Sequence, residues 1–191
     1  MRHEGAVIEP AVARRIRIVG IDVDGTMTDG GLYIGTAGGQ SVELKRFDIQ
    51  DGLGVHLLRA AGIVVVVLTG RAGDAARIRA EELKVDEFAA DAGARKLPMF
   101  EGMLQRRQMR WEEACFMGDD LPDLPLLKRV ALPVGVANAC AEVREVVHFT
   151  TTRAGGRGAV REFAEVFLQA RGVWTGQIRA YLRERGDVLA D

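Results

Sequence analysis

Two acidic residues two positions apart, Asp22 and Asp24 in Asp22-Val23-Asp24-Gly25-Thr26, follow directly on the β-branched run Ile16-Arg17-Ile18-Val19-Gly20-Ile21. Positions i and i+2 of a strand share a face, and where the strand gives way to a loop both carboxylates can be aimed at one point. Like charges placed so close repel unless a cation sits between them. A hard cation such as Mg²⁺ takes oxygen ligands and suits phosphate-bearing substrates. Turn residues and helix caps also use such pairs, so the pair alone leaves both readings open.

Three further features bear on the choice. Thr69, in Leu68-Thr69-Gly70-Arg71, offers a hydroxyl and adjacent amides to phosphoryl oxygens, or simply a helix cap. Lys96 opens a helical pattern, where a cation opposes the helix dipole and so asks for a reason; taken alone it reads as a solvated surface lysine. Gly118-Asp119-Asp120-Leu121-Pro122-Asp123 holds three acids in five residues, enough to complete a metal site or to cap a helix.

These groups converge only if the fold brings them together. Short β-branched runs alternate with longer amphipathic ones, which argues for βα units around a parallel sheet. Strands are expected at 16–21, at Ile63-Val64-Val65-Val66-Val67-Leu68, near Glu87 to Ala89, at Ala114-Cys115-Phe116-Met117 and from Val130 to Val134. The second is apolar throughout, as befits a central strand covered on both faces. Helical spacing fits Leu53 to Ala61, Gly73 to Leu83, Lys96 to Arg110, Leu121 to Arg129 and Ala139 to Glu145. Right-handed crossovers then give an α/β, three-layer, doubly wound (Rossmann-like) parallel sheet, whose ligands collect at the carboxyl ends of the strands. Each of the four motifs falls at such an end, which favours the catalytic reading over the capping one.

One stretch breaks the alternation. Extended pieces at Gly31 to Ile34 and Ser41 to Arg46 flank Gly35-Thr36-Ala37-Gly38-Gly39 and read as a β-hairpin projecting from the mouth of the sheet, over about 31–46. After Gly155-Gly156-Arg157-Gly158 a helix is expected from about Ala159 to Ala170. In the tail at 172–191, Trp174, Ile178, Tyr181 and Leu182 recur at helical spacing.

With 191 residues, 48% of them hydrophobic, the chain reads as one domain over 1–191 with a core at about 16–168. Its 26 basic and 27 acidic residues leave a net charge of -1, which gives no broad attraction for nucleic acid or for an anionic membrane. Two cysteines, Cys115 and Cys140, are too few for a disulfide framework and read as core thiols of a reducing compartment. No apolar run is long enough to span a bilayer, and Met1-Arg2-His3-Glu4 lacks the apolar start of a signal peptide, so a cytoplasmic protein is expected. Among the histidines, His3 falls in that terminal stretch and His148 at a late strand edge, while His56 lies on a helix near the mouth.

Taken together, Asp-x-Asp-Gly-Thr, a strand-terminal Thr, a helical Lys and Gly-Asp-Asp-x-x-Asp resemble the haloacid dehalogenase superfamily in order and placement. The resemblance tightens to the 3-deoxy-D-manno-octulosonate 8-phosphate phosphatases at 22–30 (DVDGTMTDG), 47–54 (FDIQDGLG), 69–71, 117–123 and 155–162 (GGRGAVRE). It implies a phosphoric monoester hydrolase of lipopolysaccharide precursor synthesis, with Asp22 as nucleophile and Asp24 as general acid and then base. Mg²⁺ is then held by the Asp22 carboxylate, the Asp24 main-chain carbonyl and Asp119, with Asp120 and Asp123 supporting. Thr69 and Lys96 would complete the catalytic set. Substrate contacts are expected from Asp24, Asp48, Gln50, Asp51, Gly52, His56, Arg71, Arg79, Lys96 and Arg157.

The expected substrate is a small phosphorylated sugar acid, whose carboxylate calls for arginines away from Asp22. Asp48, Gln50, His56 and Ala72 depart from the residues common in the octulosonate group, and the departures remove positive charge near the mouth. A nonulosonate phosphate or another sugar phosphate is the alternative. The span from Asp24 to Thr69 holds only a hairpin and a helix, leaving no room for a separate cap domain; a homo-oligomer, a tetramer by resemblance, would supply the lid. A receiver-type signalling domain also uses a phosphorylated Asp, Mg²⁺, Thr and Lys, but carries its Asp on a middle strand and has no second acid two residues on.

Overall fold

A computed structural model describes residues 7–71 and 73–187; His3, Ala72 and the first four residues lie outside that range. The chain runs α1 (Pro10–Arg15), β1 (Ile18–Asp22), β2 (Tyr33–Ala37), β3 (Gln40–Leu44), α2 (Ile49–Ala60), β4 (Val64–Thr69), α3 (Asp74–Glu82), β5 (Glu87–Ala90) and α4 (Lys96–Arg106). It continues through β6 (Ala114–Gly118), α5 (Leu124–Leu127), β7 (Leu132–Gly135), α6 (Ala141–Val146), β8 (Phe149–Thr150), α7 (Ala159–Ala170) and α8 (Trp174–Arg183).

Six strands form a parallel sheet in the order β5-β4-β1-β6-β7-β8. All of β1 and all but the first residue of β4 are buried, because helices cover both faces and leave no polar side for alternation. From β1 the chain steps outward through β4 and β5, then crosses to build β6, β7 and β8 on the other side. The direction of winding therefore reverses between β1 and β6, and the crevice there opens at the carboxyl ends of both. Between β1 and β4 stand a short helical turn (Val23–Met27), the separate β2–β3 hairpin and α2, so the described residues contain no cap domain there. No helix among them is long and apolar enough to cross a membrane.

The architecture matches the expected one; the differences are local and have causes. Phe149–Thr150 adds a sixth strand beside β7, too short to carry a pattern, with His148 next to it at the edge. The expected helix over Leu121 to Arg129 is a 3₁₀ turn (Leu121–Asp123) followed by the short α5, since Pro122 and Pro125 each begin a turn and cannot continue one. The hairpin turns tightly at Gly38–Gly39, which lengthens β2 and ends β3 at Leu44. Helix α2 starts at Ile49, four residues before Leu53, because Asp48 caps it by accepting from the Gln50 amide at 2.8 Å.

Helix α7 buries Val160, Phe163, Ala164, Phe167 and Leu168 on one face. It crosses α2 closely enough that a Cβ at Gly54 would fall 2.9 Å from the Arg161 Cα. At this crossing Asp51, 2% exposed, accepts the Arg161 amide at 2.9 Å and so caps α7 from another helix. The structure thus places Asp51 in a helix joint, with its carboxylate turned to the α7 backbone.

Burial holds the Asp51 carboxyl up at about 6, and the α7 amides only partly counter it. Its contribution to stability is complete below the ordinary value of 3.8 and is lost as pH rises through about 6. At about 1.4 kcal/mol per pH unit of displacement, the loss is on the order of 3 kcal/mol. Asp51→Asn keeps an oxygen for the Arg161 amide without the charge. Denaturant melts should show the variant more stable than wild type at pH 8, with the gap closing near pH 4; a gap independent of pH would refute the account.

Candidate active site

The site is assembled where β1, β4 and β6 end. Asp22, the last residue of β1, is buried, and its Oδ1 accepts from Lys96 Nζ at 2.5 Å. Lys96 begins α4, is 4% exposed, and also donates to Asp123 Oδ1 at 2.7 Å. The fully buried Asp123 takes the Asp119 and Asp120 amides on its other oxygen, at 3.0 and 3.4 Å. Asp123 thereby fixes both the loop after β6 and the lysine that faces Asp22.

Residues 23–27 carry the chain from β1 into the mouth. Gly25 has φ +90, and a Cβ there would lie 2.1 Å from Asp119 Oδ2, so only glycine lets the β1 and β6 loops meet. Across that contact Thr26 Oγ1 donates to Asp119 Oδ1 at 3.1 Å. The buried Thr28 hydroxyl accepts from the Gly25 and Gly30 amides and donates to the Val23 carbonyl, closing the loop on itself. Asn138 braces it from outside, donating to the Gly25 carbonyl at 2.9 Å and accepting the Gly155 amide at 2.7 Å.

Asp24 projects into the mouth with each carboxylate oxygen held. Lys45 Nζ is 2.6 Å from Oδ1, and Thr69 Oγ1 donates to Oδ2 at 3.1 Å. The electrostatics are those of an acidic cluster short of positive charge. Burial first, and then the Asp123 carboxylate, push Asp22 well above the ordinary carboxylate range; Lys96 offsets only part of this. Asp119 is held up at about 6, by burial and then by Asp123. Burial would lower Lys96, but Asp22 and Asp123 outweigh it and keep the ammonium above the usual lysine value.

Comparison with known proteins agrees with this geometry. The sequence is 36% identical over 169 residues to the 3-deoxy-D-manno-octulosonate 8-phosphate phosphatase of Yersinia pestis, covering 87% of this chain and 88% of that one. The chain belongs to the haloacid dehalogenase-like hydrolases. The model of that family matches residues 90–163, from the end of β5 into α7. Among solved structures, the Moraxella catarrhalis 3-deoxy-D-manno-octulosonate 8-phosphate phosphatase, in complex with magnesium, phosphate and a KDO molecule, superposes with a TM-score of 0.84 at 31% identity, covering 90% of this chain and 97% of that one. The cobalt-bound phosphatase of Haemophilus influenzae does so at 0.78 and 32%, covering 86% and 94%.

Within this haloacid dehalogenase frame the donor set fits a divalent cation. Carboxylate oxygens of Asp22, Asp119 and Asp123 lie within 4.8 Å of one another, three carboxylates against the single Lys96 ammonium paired with two of them. Both oxygens of Asp123 are engaged by Lys96 and the loop amides, whereas Asp22 and Asp119 each have one oxygen, Oδ1, held by a side chain and the other left for a cation. Asp120 accepts from the Leu121 amide at 2.8 Å and caps the 3₁₀ turn.

Not every residue expected at the site is brought to it. Asp22, Asp24, Thr69, Lys96 and Asp119 converge, with Asp123 behind them. Arg71 stands at the mouth, half exposed, paired with Glu43 at 3.2 Å. Arg157 lies 3.9 Å from Asp29 in the glycine-rich loop against the 23–29 segment. Arg79 instead clamps the α2–α3 joint: it donates to the Asp48 carbonyl, pairs with Glu82, lies over the Phe47 ring and packs on Gly52. Gln50 accepts from Arg153, and His56 meets the edge of Tyr181 on α8. Sequence reasoning missed Lys45 and Asn138; nothing local distinguishes them, because their partners are distant in the chain.

Proposed function

We propose that this phosphoric monoester hydrolase removes the phosphate from 3-deoxy-D-manno-octulosonate 8-phosphate in the cytoplasm, through an aspartyl-phosphate formed on Asp22 and with Mg²⁺ as cofactor. One observation carries the mechanism: Asp22 and Asp119 face each other across the winding reversal, with Lys96 against Asp22 and Asp24 poised at the mouth. The substrate assignment draws on the relatives named above and on the arginines at the mouth. The chain acts as one phosphatase domain.

Mg²⁺ would be held by the Asp22 carboxylate, the Asp24 main-chain carbonyl and Asp119, and when bound it neutralises charge on the phosphoryl oxygens. An Asp22 oxygen attacks phosphorus in line and the bond to the sugar oxygen breaks; Asp24 gives its proton to that oxygen. Lys96 remains beside the attacking group and offsets negative charge as it spreads over the phosphoryl group. In the second half Asp24 takes a proton from water, the hydroxyl attacks phosphorus, and Asp22 is released with inorganic phosphate. One carboxyl serves both halves because it ends the first in the form the second needs.

Arg71 is the leading receptor for the sugar-acid carboxylate. It pairs with Glu43 on a half-exposed side chain, so a substrate carboxylate can replace Glu43 at little cost. A phosphate-release screen should rank the octulosonate 8-phosphate above a nonulosonate phosphate and above neutral sugar phosphates. Arg71→Ala should raise KM for it by about tenfold or more, with little change for an uncharged aryl phosphate. Equal losses on both, or a wild-type preference for a neutral sugar phosphate, would remove the substrate assignment and leave a general phosphatase.

The working form is a homotetramer. Tyr33, Ile34 and Leu44 on the hairpin are exposed apolar side chains, and the described residues include no cap domain over the mouth. Light scattering that finds a fully active monomer at assay concentration would exclude this.

A further inference from the structure

Lys45 is 1% exposed in its side chain, although it follows a hairpin whose strand β2 is exposed at every residue. Burying an ammonium is costly unless it is paired, so this lysine must be held by what it meets. It meets Asp24 at 2.6 Å and, more loosely, Glu43 at 3.4 Å. Its neighbour Arg46 donates to the Gly156 carbonyl, so the returning strand is tied to the mouth on both sides. Thr69 holds the other oxygen of Asp24. The carboxylate is therefore gripped from two elements, β4 and the end of the hairpin, and its direction is fixed by both.

We propose that Lys45 is a positioning residue for Asp24, through which the hairpin aims that carboxyl at the leaving-group oxygen and, later, at water. The proposal rests on the reading of Asp24 as the proton donor and acceptor of the reaction. The partners of Lys45 are the Asp24 and Glu43 side-chain carboxylates; it acts by restricting where one carboxyl can point, and small errors in such placement are costly. Glu43, two residues earlier, pairs with both Lys45 and Arg71. The same strand end thus connects the aim of Asp24 to the candidate carboxylate receptor.

Leaving-group dependence separates this role from a structural one. A sugar phosphate must have its leaving oxygen protonated, whereas p-nitrophenolate departs without a proton. Lys45→Met should lower kcat/KM on a primary sugar phosphate by about 100-fold, within the usual range for proton transfer, and on p-nitrophenyl phosphate by under about fivefold. Lys45→Arg, which keeps a cationic donor, should recover most of the loss and serves equally if the methionine variant folds poorly. The decisive comparison is Lys45→Met combined with Asp24→Asn, which should be no slower on the sugar phosphate than Asp24→Asn alone. Additive losses, or equal losses on the two substrates, would overturn the positioning role while leaving Asp24 in place. An Asp24→Asn variant that shows no difference between leaving groups would overturn the acid–base reading itself, and the role of Lys45 with it.

Discussion

Asp22→Asn is expected to release phosphate at least about 10⁴-fold more slowly than wild type, with its fold intact. A carboxamide is not a nucleophile, and the neighbouring acids are held elsewhere: Asp123 is engaged on both oxygens and Asp119 is held by the Thr26 hydroxyl against Gly25. The fold should survive because the substitution is nearly isosteric and the Asn oxygen still accepts from Lys96. It also removes a carboxyl whose ionisation is opposed by burial and by Asp123, so the melting temperature should hold or rise. Steady-state phosphate release and a thermal melt on the same preparation check both halves. Near-normal turnover would end the aspartyl-phosphate mechanism, and a collapsed melt would recast Asp22 as structural.

The sheet was legible because burial on both faces imposes one simple pattern. Ile63 to Leu68, apolar at every position, reads as a central strand covered on both faces, and β4 is that strand, shifted by one residue. The site was legible for a related reason: ligands gather where winding reverses, and each motif stood at a strand's carboxyl end. What stayed hidden depends on partners far along the chain. The end of α1 is held by Arg171, whose guanidinium donates to the Ala13 and Ile16 carbonyls. Asn138 matters only because Gly25 and Gly155 come to it.

Residues in a matching motif can also carry structure. Asp51, Gly52 and Arg79 fall in or near segments that match phosphatases, yet here they build the joints of α2 with α7 and α3. Those joints set where the α2 N-terminus lies beside the mouth.

Lys96→Met should lose activity by about 10³-fold and, unlike Asp22→Asn, should also lose stability, by about 3–5 kcal/mol. Methionine fits an apolar position better than a lysine does, so burial alone would favour the variant. The carboxylates decide the sign. Asp22 and Asp123 are both buried, and each takes a hydrogen bond from the same ammonium; without it their repulsion has no partner inside the cluster. Two measurements test this origin of the loss. Added Mg²⁺ should raise the melting temperature of Lys96→Met more than that of wild type, because a divalent cation supplies the missing charge. Combining Lys96→Met with Asp22→Asn should return stability to within about 1–2 kcal/mol of wild type, a strongly non-additive result, since removing one carboxylate relieves what removing the ammonium caused. If the double variant is instead less stable than either single one, Lys96 contributes through packing, and the acidic cluster does not require it as a counter-charge.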